Sequence, residues 1–82
     1  MKVTSVEVFD IHCPDRQGWN PVFIRVHTDE GISGVGEAGL AYDLGHSAAA
    51  HMIKEMAEAF LIGHDPFQTE QLWSRMLRES FW

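Results

Sequence analysis

The residues with the widest chemical repertoire fall in two stretches punctuated by glycine and proline. Residues 13–21, Cys-Pro-Asp-Arg-Gln-Gly-Trp-Asn-Pro, hold Arg16, Trp19 and Asn20; residues 39–47, Gly-Leu-Ala-Tyr-Asp-Leu-Gly-His-Ser, hold Tyr42, Asp43 and His46. A guanidinium forks onto a carboxylate, a carboxamide both donates and accepts, and an aromatic ring covers the apolar side of a ligand. That set suits a small molecule bearing a carboxylate or hydroxyls. Binding side chains concentrate on loops held by a rigid scaffold, so both stretches are candidate binding loops. The competing reading is a pair of solvated loops with no ligand.

Other constellations carry less. Gly34-Val35-Gly36-Glu37-Ala38-Gly39 matches G-x-G-x-x-G. Pyrophosphate binding needs those glycines at a strand-to-helix turn. Here the first two fall within a strand, and the next helix begins about eight residues too late for that motif. The pattern instead predicts a strand whose glycine face is closely packed by another element. Five histidines invite a metal reading. Two ligands on one helix face need three- or four-residue spacing, whereas His46 and His51 are five apart and His12, His27 and His64 lie on separate elements. Turn or surface histidines are expected, with no metal ligand among them. Cys13 beside His12 is not a nucleophile–base pair, because neighbours on an extended chain point to opposite sides. Glu37, at a strand end, is expected to serve structure by hydrogen-bonding nearby backbone.

The loops must be positioned by the elements around them. Lys2–His12 is rich in β-branched and aromatic residues and reads as a strand. Val22–Thr28 alternates as a second strand, with Val22, Ile24 and Val26 on one face and Phe23, Arg25 and His27 on the other. Asp29-Glu30-Gly31 forms a hairpin turn, Gly31 supplying a positive φ. Ile32–Ala38 is the third strand, antiparallel to the second. A helix follows, with Ser47 as N-cap and Ala49, Met52 or Ile53, Met56 and Phe60 on its apolar face. It ends at Ile62, with Gly63 just beyond. A second helix is expected from Asp65 as N-cap, with Pro66 in first position and Gln68 completing a capping box; Leu72, Trp73, Met76, Leu77 and Phe81 form its apolar face. Strands followed by helices predict an α+β domain, a three-stranded antiparallel sheet with two helices on one face.

Composition narrows the class. The 82 residues carry a net charge of −6, which disfavours a nucleic-acid partner because phosphate binding needs clustered Lys and Arg. No apolar run approaches the ~20 residues of a membrane span, and the alternating start is not a signal peptide. One cysteine excludes an internal disulfide framework and suits a reducing, cytoplasmic setting. A chain this short buries little surface, yet it carries three Trp and five Phe and stops on Ser80-Phe81-Trp82. The expectation is a truncated piece of a longer protein.

Three strings bear a family likeness: Met1-Lys2-Val3-Thr4-Ser5-Val6-Glu7; Val22 through Ala38, above all Thr28-Asp29-Glu30-Gly31 and Gly34-Val35-Gly36-Glu37-Ala38; and Leu61-Ile62-Gly63-His64-Asp65-Pro66-Phe67 with Leu72-Trp73 and Phe81-Trp82. Together they resemble the N-terminal capping domain of the enolase superfamily, mandelate racemase/muconate lactonizing enzyme group, with a layout most similar to its acid-sugar dehydratases. The resemblance spans residues 1–82. It implies a parent lyase or isomerase in which a (β/α) barrel, absent from these residues, binds Mg²⁺ and carries the acid/base groups that remove a proton α to a carboxylate. It also implies that residues 13–21 and 39–47 close over the barrel mouth and shape specificity. Arg16, Trp19, Asn20, Tyr42 and His46 become the candidate substrate-binding residues. The implied partners are the C-terminal barrel, a carboxylate-bearing small molecule and further copies of the enzyme in a homo-oligomer. The 82 residues alone would be inactive. The alternative from a different class is a stand-alone α+β protein-interaction module that uses an exposed apolar helix face.

Overall fold

The computed structural model describes residues 1–13, 20–39 and 44–80. Strands β1 (Val3–Asp10), β2 (Val22–Thr28) and β3 (Ser33–Ala38) form an antiparallel sheet in the order β1-β2-β3. Helix α1 (His46–Met56) continues through a π-helical turn, Ala57–Leu61, and α2 (Thr69–Ser80) follows. The expected α+β order holds, with β1 and β3 slightly shorter than their patterns predict.

Cross-strand pairs share a face. Val8 and Gly36 flank Ile24, and Val6 and Gly34 flank Val26, so these residues line the helix side. Phe9 and Glu37 flank Phe23 on the opposite side, which places Glu37 away from the helices. The register shifts between Val3 and Ser5, and Val3 pairs with Thr28. Thr28 shares its face with Val26, so this bulge turns Val3 inward, where it is buried. Strict alternation would have put Val3 on the outer face with Ser5 and Glu7. Val3, Val22, Ala50, Ala57 and Leu72 form the core.

The turns at Gly31 and Gly63 form as expected, whereas the start of α1 does not. Gly31 takes φ +77° in the hairpin, as its turn requires. Helix α1 starts at His46 with Gly45, not Ser47, in the capping position. Gly45 has φ +95° and no side chain to cap with, so Ser47 is released for a contact elsewhere. Of the two alternatives on the apolar face, Ile53 is half-buried and Met52 is exposed. The five-residue bond from Ile62 N–H to Ala57 O is 3.0 Å and marks the π turn. Beyond it, Gly63 has φ +86° and donates to Val3 O at 2.8 Å, while Val3 N–H donates to His64 O at 2.9 Å. This pair joins the interhelical turn to the start of β1.

Asp65 does not cap α2. Its Oδ1 accepts from Phe67 N–H at 3.0 Å, and its carbonyl accepts from Gln68 N–H at 3.2 Å. Asp65-Pro66-Phe67-Gln68 is therefore a turn, with proline at its favoured second position, and α2 begins one residue after it. On α2 only Leu72 is buried; Trp73 and Leu77 are exposed, and Phe81 lies outside the described residues.

The glycine face of β3 also differs. A Cβ built on Gly34 or Gly36 meets nothing within 4 Å. No element among the described residues fills the space. Instead an open apolar groove of about 520 Å³ runs between β3 and α2, floored by Gly34 and Gly36 and walled by Leu61, Phe67, Leu72 and Met76. The first two glycines of the motif thus floor a groove and do not form a phosphate-binding turn.

Candidate functional site

The register decides where the loops sit. Asp10 pairs with Val22, and Val22 pairs with Ala38. The exit from β1, the entry to β2 and the exit from β3 therefore lie side by side at one end of the sheet. Residues 11–21 and 39–45 spring from that end, the first joining β1 to β2 and the second leading into α1.

The root of the first loop prolongs the hairpin. Ile11 N–H donates to Pro21 O at 3.0 Å, one step beyond the Asp10–Val22 pair. One step further, His12 Nδ1–H donates to Asn20 Oδ1 at 2.8 Å. Asn20 is 6% exposed, so its polar end would be costly to bury without a partner, and His12 supplies one. Asn20 braces the loop from inside. Pro21 and Val22 beside it are fully buried.

The root of the second loop is tied to the first. His46 Nδ1–H donates to Asp10 Oδ1 at 2.9 Å, and Ser47 Oγ–H donates to Asp10 Oδ2 at 3.4 Å. A carboxylate only accepts, so the proton belongs on Nδ1. Helix α1 has no acidic residue in its first turn and no side-chain cap. The Asp10 carboxylate, arriving from β1, places negative charge at that helix start, where the peptide dipoles favour it.

Of the five candidate residues, the structure therefore brings Asn20 and His46 to the same end of the sheet. Arg16, Trp19 and Tyr42 lie outside the described residues. Sequence reasoning missed Asp10, His12 and Ser47. A usable signal was present: a helix opening on Gly-His-Ser with no acid in its first turn draws its negative charge from another element.

The remaining histidines are engaged locally. His27 pairs with Glu7 across the outer sheet face, His51 with Glu55 along α1, and His64 accepts from Arg75 at 3.4 Å. Among the described residues no three His, Cys, Asp or Glu side chains could hold a metal ion. They offer no carboxylate set that would hold Mg²⁺. No helix among them is long and apolar enough to cross a membrane.

Residues 4–82 match the model of the mandelate racemase/muconate lactonizing enzyme N-terminal domain. The chain belongs to that family. Its sheet-then-helices architecture is the enolase-type N-terminal domain. A solved member of the enolase superfamily from Salmonella Typhimurium is 46% identical with a TM-score of 0.86, covering 99% of this chain and 20% of its own. A D-galactonate dehydratase family member of Pseudarthrobacter chlorophenolicus is 35% identical over all 82 residues and 19% of its own length. A D-mannonate dehydratase of Rhizorhabdus wittichii is 34% identical over the same spans. The chain spans about a fifth of the length of the curated relatives it matches. This N-terminal domain thus corresponds to a small part of longer chains in its relatives.

Proposed function

We propose that this domain is the substrate-specificity cap of a Mg²⁺-dependent acid-sugar dehydratase, or of a related racemase or cycloisomerase that removes a proton α to a carboxylate. The observation that carries the reading is the Asp10–Val22–Ala38 register, which sets both loops at one sheet end where they can cover a single site. Arg16, Trp19, Asn20, Tyr42 and His46 are the residues proposed to meet the substrate, Asn20 and His46 from the loop roots. The metal, which would stabilise the enediolate formed by proton removal, is assigned to the part of the enzyme outside these residues, as are the acid/base groups. The parent enzyme is proposed to be a cytoplasmic homo-oligomer. The chain's own task is to bind and orient an acid sugar and to shut out water.

The apolar groove supports the division of labour. Phe67, 74% exposed, stands on its wall, and an uncovered apolar surface of this kind is suited to burial against a further domain. The exposed Trp73 and Leu77 on α2 favour the other reading, a stand-alone interaction module that uses an apolar helix face. The test is turnover by the full-length enzyme and by residues 1–82. Dehydration of D-galactonate or D-mannonate by the full-length enzyme, abolished by EDTA and absent from the 82-residue chain, supports the cap. Turnover by the 82 residues alone, or no change of substrate preference when residues 13–21 and 39–47 are exchanged for a relative's, overturns it.

A further inference from the structure

We infer that Asp10 is a positioning residue of this cap, and that through it His46 presents Nε2 as a hydrogen-bond acceptor for a substrate hydroxyl. The inference rests on the proposed cap function and goes beyond it, because Asp10 lies outside both loops and the chemistry assigned to His46 is specific.

The geometry carries it in three steps. First, Asp10 is fixed. It closes β1 in register with Val22, whose side chain is fully buried, so the carboxylate projects from a rigid strand end. Second, that carboxylate accepts from His46 Nδ1–H at 2.9 Å and from Ser47 Oγ–H at 3.4 Å. The first two residues of α1, which follow the second loop, are thereby pinned to the end of β1, where the first loop departs. With Gly45 uncapped at φ +95°, the side-chain clasp is what fixes the approach of the loop to α1. Third, the clasp selects a tautomer. With the proton on Nδ1, Nε2 of the neutral ring carries a lone pair and no hydrogen. Nε2 has no hydrogen-bond partner among the described residues, and His46 is half-buried at the loop root. An unprotonated Nε2 repels a carboxylate and accepts from a hydroxyl. His46 is thus matched to the polyol part of an acid sugar, leaving the carboxylate end to cations elsewhere.

The experiment uses the full-length enzyme with D-galactonate and D-mannonate as probes. Asp10→Ala is expected to raise KM about tenfold while kcat changes by less than about threefold, the scale for loss of a group that orients another. Asp10→Asn, which keeps an accepting oxygen, restores most of the loss. In a His46→Ala background Asp10→Ala adds nothing further. An unchanged KM, or equal losses in both backgrounds, overturns the inference. A measurement on the unmutated enzyme stands apart from folding of any variant. In ¹⁵N-histidine-labelled protein at a pH where the ring is neutral, the His46 signals must show a protonated Nδ1 and a bare Nε2; the opposite tautomer overturns the inference. Absence of turnover with either sugar acid counts against the cap's substrate class, and the tautomer together with hydrogen exchange then decides the clasp. Amides 44–47 exchanging about tenfold faster in Asp10→Ala support it, and unchanged exchange refutes it.

Discussion

Replacing Gly63 with alanine isolates one energy term. Gly63 sits just beyond the π turn at φ +86°, a region that costs an L-residue about 1–2 kcal/mol. A Cβ there meets nothing within 4 Å, so no clash adds to the strain. Alanine also stiffens the unfolded chain, which returns about 0.4–1 kcal/mol. The net expectation is a destabilisation of about 0.5–1.5 kcal/mol. Gly34→Ala is the matched control. It too meets no atom within 4 Å, and its φ is not positive, so only the unfolded-state term remains and the chain is stabilised by about 0.4–1 kcal/mol. The difference between the two variants cancels the unfolded-state term and leaves about 1–2 kcal/mol of backbone strain. In urea, with a slope of roughly 1 kcal/mol/M for a small chain, the two midpoints should separate by about 1–2 M, one on each side of the parent. Far-ultraviolet circular dichroism of residues 1–82 follows the transition. Because Gly63 N–H and Val3 N–H join the turn to β1, their amides should also exchange faster in Gly63→Ala. Midpoints that move in the same direction would refute the strain assignment.

Three further outcomes follow from particular contacts. Leu72→Ala removes the only buried side chain of α2 and should cost about 2–4 kcal/mol in the same urea transition; a loss below about 1 kcal/mol would mean that α2 is not anchored through it. Asn20→Ala deprives His12 of its 2.8 Å partner at a buried position and should cost about 1–2 kcal/mol, with faster hydrogen exchange at residues 11–13 and no change in α2. The Met1 amino group has a pKa raised above 8.0, first by its hydrogen bond to Glu30 and then by the Glu30 charge. A raised folded value means that the contribution is fully present below pH 8.0 and is lost as pH climbs through the folded value. Glu30→Gln should bring the amino-group titration, followed by NMR, back toward 8.0; an unmoved titration would exclude the pair as its cause.

The strands were legible because β-branched alternation is a local signal, and β2 spans Val22–Thr28 as its pattern predicts. The Gly31 and Gly63 conformations were legible for the same reason, since each sits where a turn demands positive φ. What was not legible depended on partners distant in sequence. Ser47 looks like a cap until Asp10, 37 residues earlier, takes its hydroxyl. Val3 lies inward only because the pairing with β2 slips at Thr4. Asp65 satisfies a capping-box pattern, but Asp65-Pro66-Phe67-Gln68 also satisfies a turn, and the turn's bonds take both the Asp65 carboxylate and its carbonyl. Among the candidate site residues, Asn20 and His46 were proposed from residue type, loop position and the family resemblance; the residues they bond, His12 and Asp10, were not singled out, because nothing local marks a residue as another's support.

The glycines of β3 show why an unfilled expectation is informative. Two glycines on one face of a strand weaken it, since they bury nothing and add freedom to the unfolded chain. Among the described residues that cost has no visible return, for none of them lies within 4 Å of a Cβ built on Gly34 or Gly36, and the space opens into the groove lined by Leu61, Phe67 and Met76. A return would come from close approach of another backbone to the strand, which any Cβ would obstruct. The relatives carry some four-fifths of their length beyond the matching segment, which is ample chain to supply that element. Gly36→Val separates the two cases. In residues 1–82 alone the added side chain enters open space and should leave the urea midpoint unchanged or raise it. In the full-length enzyme, if the groove is covered there, the same side chain should collide with what covers it and lower thermal stability. A neutral effect in both settings would mean that the groove stays open in the intact protein, and the proposed cap role would then need some other face to meet the rest of the protein.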